Sequence, residues 1–141
     1  MFLGTHHPKL DEKGRFFLPA KFREELAEGL VISQGHERCL TIWPQAAFED
    51  YARSVSGPAT LKHVRDFQRM LAASASAEVP DKQGRITIPP PLRRYAGLEK
   101  EIVVVGSIDR VEVWDLAAWE AYSEEQEQAF ADMDNIPGAE Q

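Results

Sequence analysis

The sequence predicts a duplicated, β-rich α+β fold with flanking helices, on three observations. The stretch Asp11-Glu12-Lys13-Gly14-Arg15 returns as Asp81-Lys82-Gln83-Gly84-Arg85, and each runs on to a proline, Pro19 and Pro89, so that matched positions lie 70 residues apart. Further along, Gly35, Trp43, Phe48 and Tyr51 meet Gly106, Trp114, Trp119 and Tyr122 at an offset of 71. Self-similarity at one offset marks repeated supersecondary units. Thirdly, Arg85-Ile86-Thr87-Ile88 alternates in character, which is the period of a half-buried strand with Ile86 and Ile88 inward.

In chain order, residues 2–10 read as a strand entering the first turn, with Pro8 suiting an edge or a bulge. Asp11 can accept hydrogen bonds from backbone amides ahead of it, and Gly14 supplies the positive φ that lets the chain reverse and pair. Arg15 then stands at the mouth of the turn and points away from the core. Pro19 opens a short helix with Phe22 and Leu26 on one face, and Gly29 ends it. Two apolar runs follow, 30–33 and 39–43, and Pro44 opens another helix. In the second copy the corresponding pieces are 75–79, the turn Asp81 to Gly84, a helix from Pro89 to Gly97, and runs 102–105 and 111–114. Asp115 caps the closing helix. Each copy thus reads strand, turn, strand, short helix, strand, turn, strand. Between the copies Gly57-Pro58 breaks the chain, and Leu61, Val64, Phe67 and Leu71 recur at helical spacing with Lys62, Arg65 and Arg69 on the polar side. The expected division is 5–47 for the first repeat, 48–75 for a helical linker packing across both halves, 76–119 for the second repeat, and 120–141 for a last helix and an acidic tail, disordered from about 133.

Composition limits the function. With 43% hydrophobic residues in 141 the chain can bury a core, but units of about 45 residues are marginal alone, so they share a core or an oligomer. Cys39 is the single cysteine, and His6, His7, His36 and His63 lack a partner at zinc-ligand spacing, so neither a disulfide nor a structural metal is expected. The start lacks the pattern of a signal peptide and no run reaches the length of a membrane span, so the expectation is a cytoplasmic protein with no membrane partner. Taken as a total, the net charge of -7 is adverse to nucleic acid. Seven of the 23 acids, however, fall after residue 119, where there is no Lys or Arg, leaving 16 acids against 16 bases before it. The first 23 residues carry five bases against two acids. Local field, not total charge, steers a polyanion.

The opening Met1-Phe2-Leu3-Gly4, the turn from Leu10 to Arg15, Pro19-Ala20-Lys21-Phe22-Arg23 and the second Asp81-Lys82-Gln83-Gly84-Arg85 resemble the MraZ family, bacterial regulators with two SpoVT/AbrB-like (swapped-hairpin) domains. The resemblance covers nearly the whole chain up to the acidic tail. It implies duplicated β-barrel-like units, ring-shaped homo-oligomers, association with the nucleoid, and control of transcription of the division and cell-wall gene cluster through short promoter repeats. The family's motif arginines fall on Arg15 and Arg85, and its aspartates on Asp11 and Asp81. One departure stands out: where the family usually has a small hydroxyl residue in the first copy, this chain has Phe17. Exposed aromatics mark interfaces, so Phe17 is expected to pack between subunits.

In a DNA reader of this kind Arg15 and Arg85 would donate paired hydrogen bonds to guanine edges, and Lys13, Lys21, Arg23, Lys82 and Arg93 would meet phosphates of double-stranded DNA. Pro89-Pro90-Pro91 removes amides from the second short helix's start, which weakens phosphate binding there. Against this, Asp11, Gly14, Asp81 and Gly84 are explained by turn chemistry alone, and either arginine could pair with its neighbouring Asp or with an acid of another subunit. An enzyme is not expected: the repeated acids are turn aspartates, and no Ser, Cys or His recurs between copies. No cofactor and no small-molecule substrate are implied. An architectural or adaptor oligomer without base readout is the rival reading.

Overall fold

The computed structural model of the chain describes residues 1–55 and 57–138. Among these residues eight strands and five α-helices follow in the order β1 (Thr5–His6), β2 (Arg15–Phe17), α1 (Ala20–Leu26), β3 (Leu30–Gln34), β4 (Leu40–Pro44), α2 (Gln45–Ser54), α3 (Lys62–Ser74), β5 (Ser76–Glu78), β6 (Arg85–Thr87), α4 (Pro90–Ala96), β7 (Ile102–Gly106), β8 (Val111–Asp115) and α5 (Leu116–Ala131). Six strands form one antiparallel sheet in the order β1-β7-β8-β4-β3-β5, and β2 pairs with β6 in a separate ribbon. The sheet order is unchanged when the copies are exchanged, so a pseudo-two-fold axis passes between β8 and β4 and through the ribbon.

This topology corrects the expectation that each turn folds its own flanking strands onto each other. The copies instead exchange strands: β1 of the first lies on β7 of the second, and β5 of the second lies on β3 of the first. The expected strand over 2–10 shrinks to Thr5–His6, with isolated bridges from Phe2 to Ile108 and from Lys9 to Glu101. Pro8 interrupts the row of donors on the incoming side, while β6 offers β2 an unbroken one.

The copies share one core. Phe16, Leu18, Phe22 and Leu26 of the first interleave with Ile86, Ile88, Leu92 and Ala96 of the second, above the inner face of the sheet. Burying each large side chain is worth about 1.5–3 kcal/mol. The short helices form as the prolines dictate, with Pro19 and Pro89 at the N-caps and Phe22, Leu26, Leu92 and Ala96 inward. Gly97 closes α4 in the left-handed conformation, φ 62°. On the outer face of the sheet, α5 starts where the Asp115 carboxylate accepts the Ala118 N–H at 3.2 Å.

The linker helix α3 lies along β3, where Ser74 Oγ accepts the Gln34 N–H and Phe67 stacks on His36. None of its side chains is fully buried. Past α5, residues 132–138 are exposed; 139–141, the end of the expected tail, lie outside the described residues.

Candidate nucleic-acid interface

The candidate site is the ribbon. Its register sets Arg15 opposite Thr87, Phe16 opposite Ile86 and Phe17 opposite Arg85. Because alternate side chains take opposite faces, Phe16 and Ile86 enter the core while Arg15, Phe17, Arg85 and Thr87 share the outer face. Two further bonds lengthen the pairing, Leu18 N–H to Gly84 O at 2.9 Å and Ile88 N–H to Gly14 O at 2.8 Å. Sequence spacing assigned each arginine to its own unit; the strand pairing brings both onto one surface.

Each turn aims its arginine. Asp11 Oδ1 accepts the N–H groups of Lys13 (2.9 Å) and Arg15 (2.8 Å), and Oδ2 accepts Arg15 Nε at 2.8 Å. Asp81 does the same for Gln83, Arg85 and Arg85 Nε, at 2.9, 2.9 and 2.8 Å. The backbone N–H of Arg15 is the main cause holding the Asp11 carboxyl below the ordinary aspartate range, against a burial effect that raises it; the Arg15 side chain and the Lys13 N–H add to the lowering. Asp81 is lowered likewise, by Arg85 first. Both arginines therefore do pair with their own turn aspartates. The pairing spends only Nε: among the described residues neither Arg15 nor Arg85 has a partner on Nη1 or Nη2. A guanidinium held on its Nε side presents those two nitrogens as a planar fork.

Gly14 and Gly84 both have φ +80°, a conformation that favours glycine. They also make room for the other copy. A Cβ at Gly14 would overlap the Arg93 guanidinium, and one at Gly84 would stand 2.7 Å from Arg23 Nε. Arg93 Nη1 donates to Ile88 O at 2.8 Å and to Lys13 O at 3.3 Å, and Arg23 Nε donates to Leu18 O at 2.9 Å. Arg93 thus braces the opposite turn and Arg23 packs against the other, which the linear sequence does not reveal. Lys13, Lys21 and Lys82 are exposed and have no ion pair among the described residues.

The opposite face of the sheet carries a groove of about 680 Å³, lined by Thr41, Trp43, Glu112 and Trp114 of the sheet together with Phe67 and Trp119. Arg110 there is already engaged, 3.1 Å from Asp109 and 3.5 Å from Glu112. Nearby, burial first and Glu112 second push the Cys39 thiol far above its ordinary range, as suits a buried cysteine that packs as a small apolar side chain. No helix among the described residues is long and apolar enough to cross a membrane.

Fold and site together define a duplicated β-ribbon protein that displays two aspartate-anchored arginines and a set of unpaired lysines. The family model described as "MraZ protein, putative antitoxin-like" matches twice, over residues 1–70 and 71–135. The chain is 66% identical over its whole length, and that of the relative, to the transcriptional regulator MraZ of Cutibacterium acnes. It is 55% identical to that of Paenarthrobacter aurescens and 54% to that of Thermobifida fusca, each over 98% of this chain and 99% of the relative. The chain belongs to the MraZ family, a family of transcriptional regulators rather than enzymes.

Proposed function

We propose that the protein is a sequence-specific DNA-binding transcriptional regulator whose ribbon enters the major groove. The carrying observation is the outer face of β2 and β6, where two guanidinium forks are fixed by aspartates and unpaired at their tips. The major groove admits a two-stranded ribbon, and a paired arginine donor suits O6 and N7 of guanine. Lys13, Lys21 and Lys82 take phosphates; Arg23 and Arg93 reach them only with the nitrogens that their backbone hydrogen bonds leave free.

The rest of the proposal follows the family: short promoter repeats of the division and cell-wall gene cluster as the target, a ring of identical subunits as the active form, and the nucleoid within the cytoplasm as the location. Strand exchange between the copies supports swapped-hairpin units, with boundaries near 5–47 and 76–119. Repeated weak contacts in a ring would multiply into high avidity on repeated sites. Sedimentation at micromolar concentration should give an oligomer, and footprinting on the DNA upstream of its own gene should protect short repeats with salt-dependent affinity. A monomer would remove the ring from the proposal. Binding indifferent to sequence would favour the architectural oligomer.

A further inference from the structure

The ribbon is two-fold symmetric in backbone and asymmetric in one pair of side chains. Exchange of the copies carries Arg15 onto Arg85 but Phe17 onto Thr87, so Arg15 faces a small hydroxyl residue and Arg85 faces an aromatic ring. The Arg85 guanidinium carbon lies 5.9 Å from the centre of the Phe17 ring, within reach of a cation-π contact. Its side chain is correspondingly the more covered, 24% exposed against 30% for Arg15. Half of Phe17 is nevertheless open, on the same face as both forks. A subunit interface built on Phe17 would bury those forks with it, and unpaired buried cations are costly.

We propose that Phe17 is a specificity-determining residue: its ring takes the 5-methyl group of a thymine beside the guanine read by Arg85, so that the recognised element is directional although the ribbon is pseudo-symmetric. The inference rests on the ribbon reading DNA. Apolar contact with the thymine methyl is the one major-groove signal a phenyl ring can read. Directly opposed side chains on a ribbon stand about 5 Å apart and base pairs rise about 3.4 Å, which places that thymine within roughly two steps of the guanine. At the other end Thr87, beside Arg15, can donate or accept and so discriminates less.

The test is selection of bound duplexes from a randomised pool by the full-length protein, followed by replacement of each enriched thymine with deoxyuridine, which deletes only the methyl group. One thymine within two base pairs of an enriched guanine should be methyl-sensitive, its replacement weakening binding about fourfold, as expected for one buried methyl. Phe17→Ser should bind the thymine and deoxyuridine duplexes alike, and Thr87→Phe should acquire a second methyl-sensitive position. Enrichment without methyl sensitivity, or sensitivity unchanged in Phe17→Ser, overturns the role of Phe17 and leaves DNA reading standing. No enrichment at all overturns both. Should Phe17→Ser fail to fold by circular dichroism, Thr87→Phe decides: a missing second position overturns the proposal.

Discussion

The two copies agree at the turns that open the ribbon and disagree behind the sheet. The turns at 11–15 and 81–85 repeat three aspartate hydrogen bonds to within 0.1 Å and share φ +80° at the glycine. On the outer face of the sheet, Trp114 Nε1 donates to Glu112 at 3.1 Å and packs with Trp119 and Tyr122. Its counterpart Trp43 has Thr41 where Glu112 would stand; the Thr41 hydroxyl is taken by Ser33 at 2.9 Å, and the buried Trp43 Nε1 has no acceptor among the described residues. Trp43 stacks on Tyr51 as Trp114 packs with Tyr122, but Arg110 lies over its ring. The duplicated chain thus keeps its symmetry in the turns and backbone that the two copies share, and loses it in the side chains around each tryptophan.

The shared ribbon makes the strongest prediction. Phe16→Ala, at the residue facing Ile86 across the pseudo-axis, should cost about 3–5 kcal/mol in denaturant unfolding, and both halves should melt in one transition. Two separate transitions would show that the copies are independent and that the ribbon does not join them. Smaller, and aimed at the disagreement, Trp114→Phe should cost about 1–2 kcal/mol more than Trp43→Phe, because only the former forfeits a bond to a carboxylate. Equal costs would mean that the Trp114 to Glu112 bond contributes nothing.

The agreement of the turns can be sharpened by pH. Both turn carboxyls are lowered from the ordinary aspartate value of 3.8. Their contribution is therefore full above that value and disappears as pH falls through the lower folded-state pKa values. Carboxyl-carbon NMR titration should give Asp11 and Asp81 nearly coincident midpoints, both below 3.8, and a midpoint at or above 3.8 for either would contradict the turn geometry. The smallest expected effect is that of Lys13→Ala, which should weaken binding to all DNA sequences alike and reduce the salt slope by about one.

Much of the fold was legible because it is local chemistry. Pro19, Pro44 and Pro89 at helix starts, Gly97 at a helix end, Asp115 as a cap and the alternation at Ile86 and Ile88 each act within a few residues. The partner of each strand was not legible, since β2 could extend its own turn or pair across 70 residues with the same alternation, and only the three-dimensional exchange of copies decides. For the same reason Arg23 and Arg93 read as free bases, while the structure sets them against the glycines of the opposite turns. The exposed position of Phe17 followed from period two; its contact with Arg85 depended on the pairing of β2 with β6.

On the proposed function, the tips of Arg15 and Arg85 read bases from one face. The most direct measurement is the affinity of wild-type protein, Arg15→Ala and Arg85→Ala for the DNA upstream of its own gene and for a scrambled duplex, with the assembly state of each variant checked by sedimentation. Each variant should lose about 1–3 kcal/mol per engaged half-site on the true sequence and little of that difference on the scrambled one, so discrimination collapses while non-specific binding persists. Intact assemblies of both variants that keep full preference for the true sequence would contradict the account and leave the two arginines as braces of their turns.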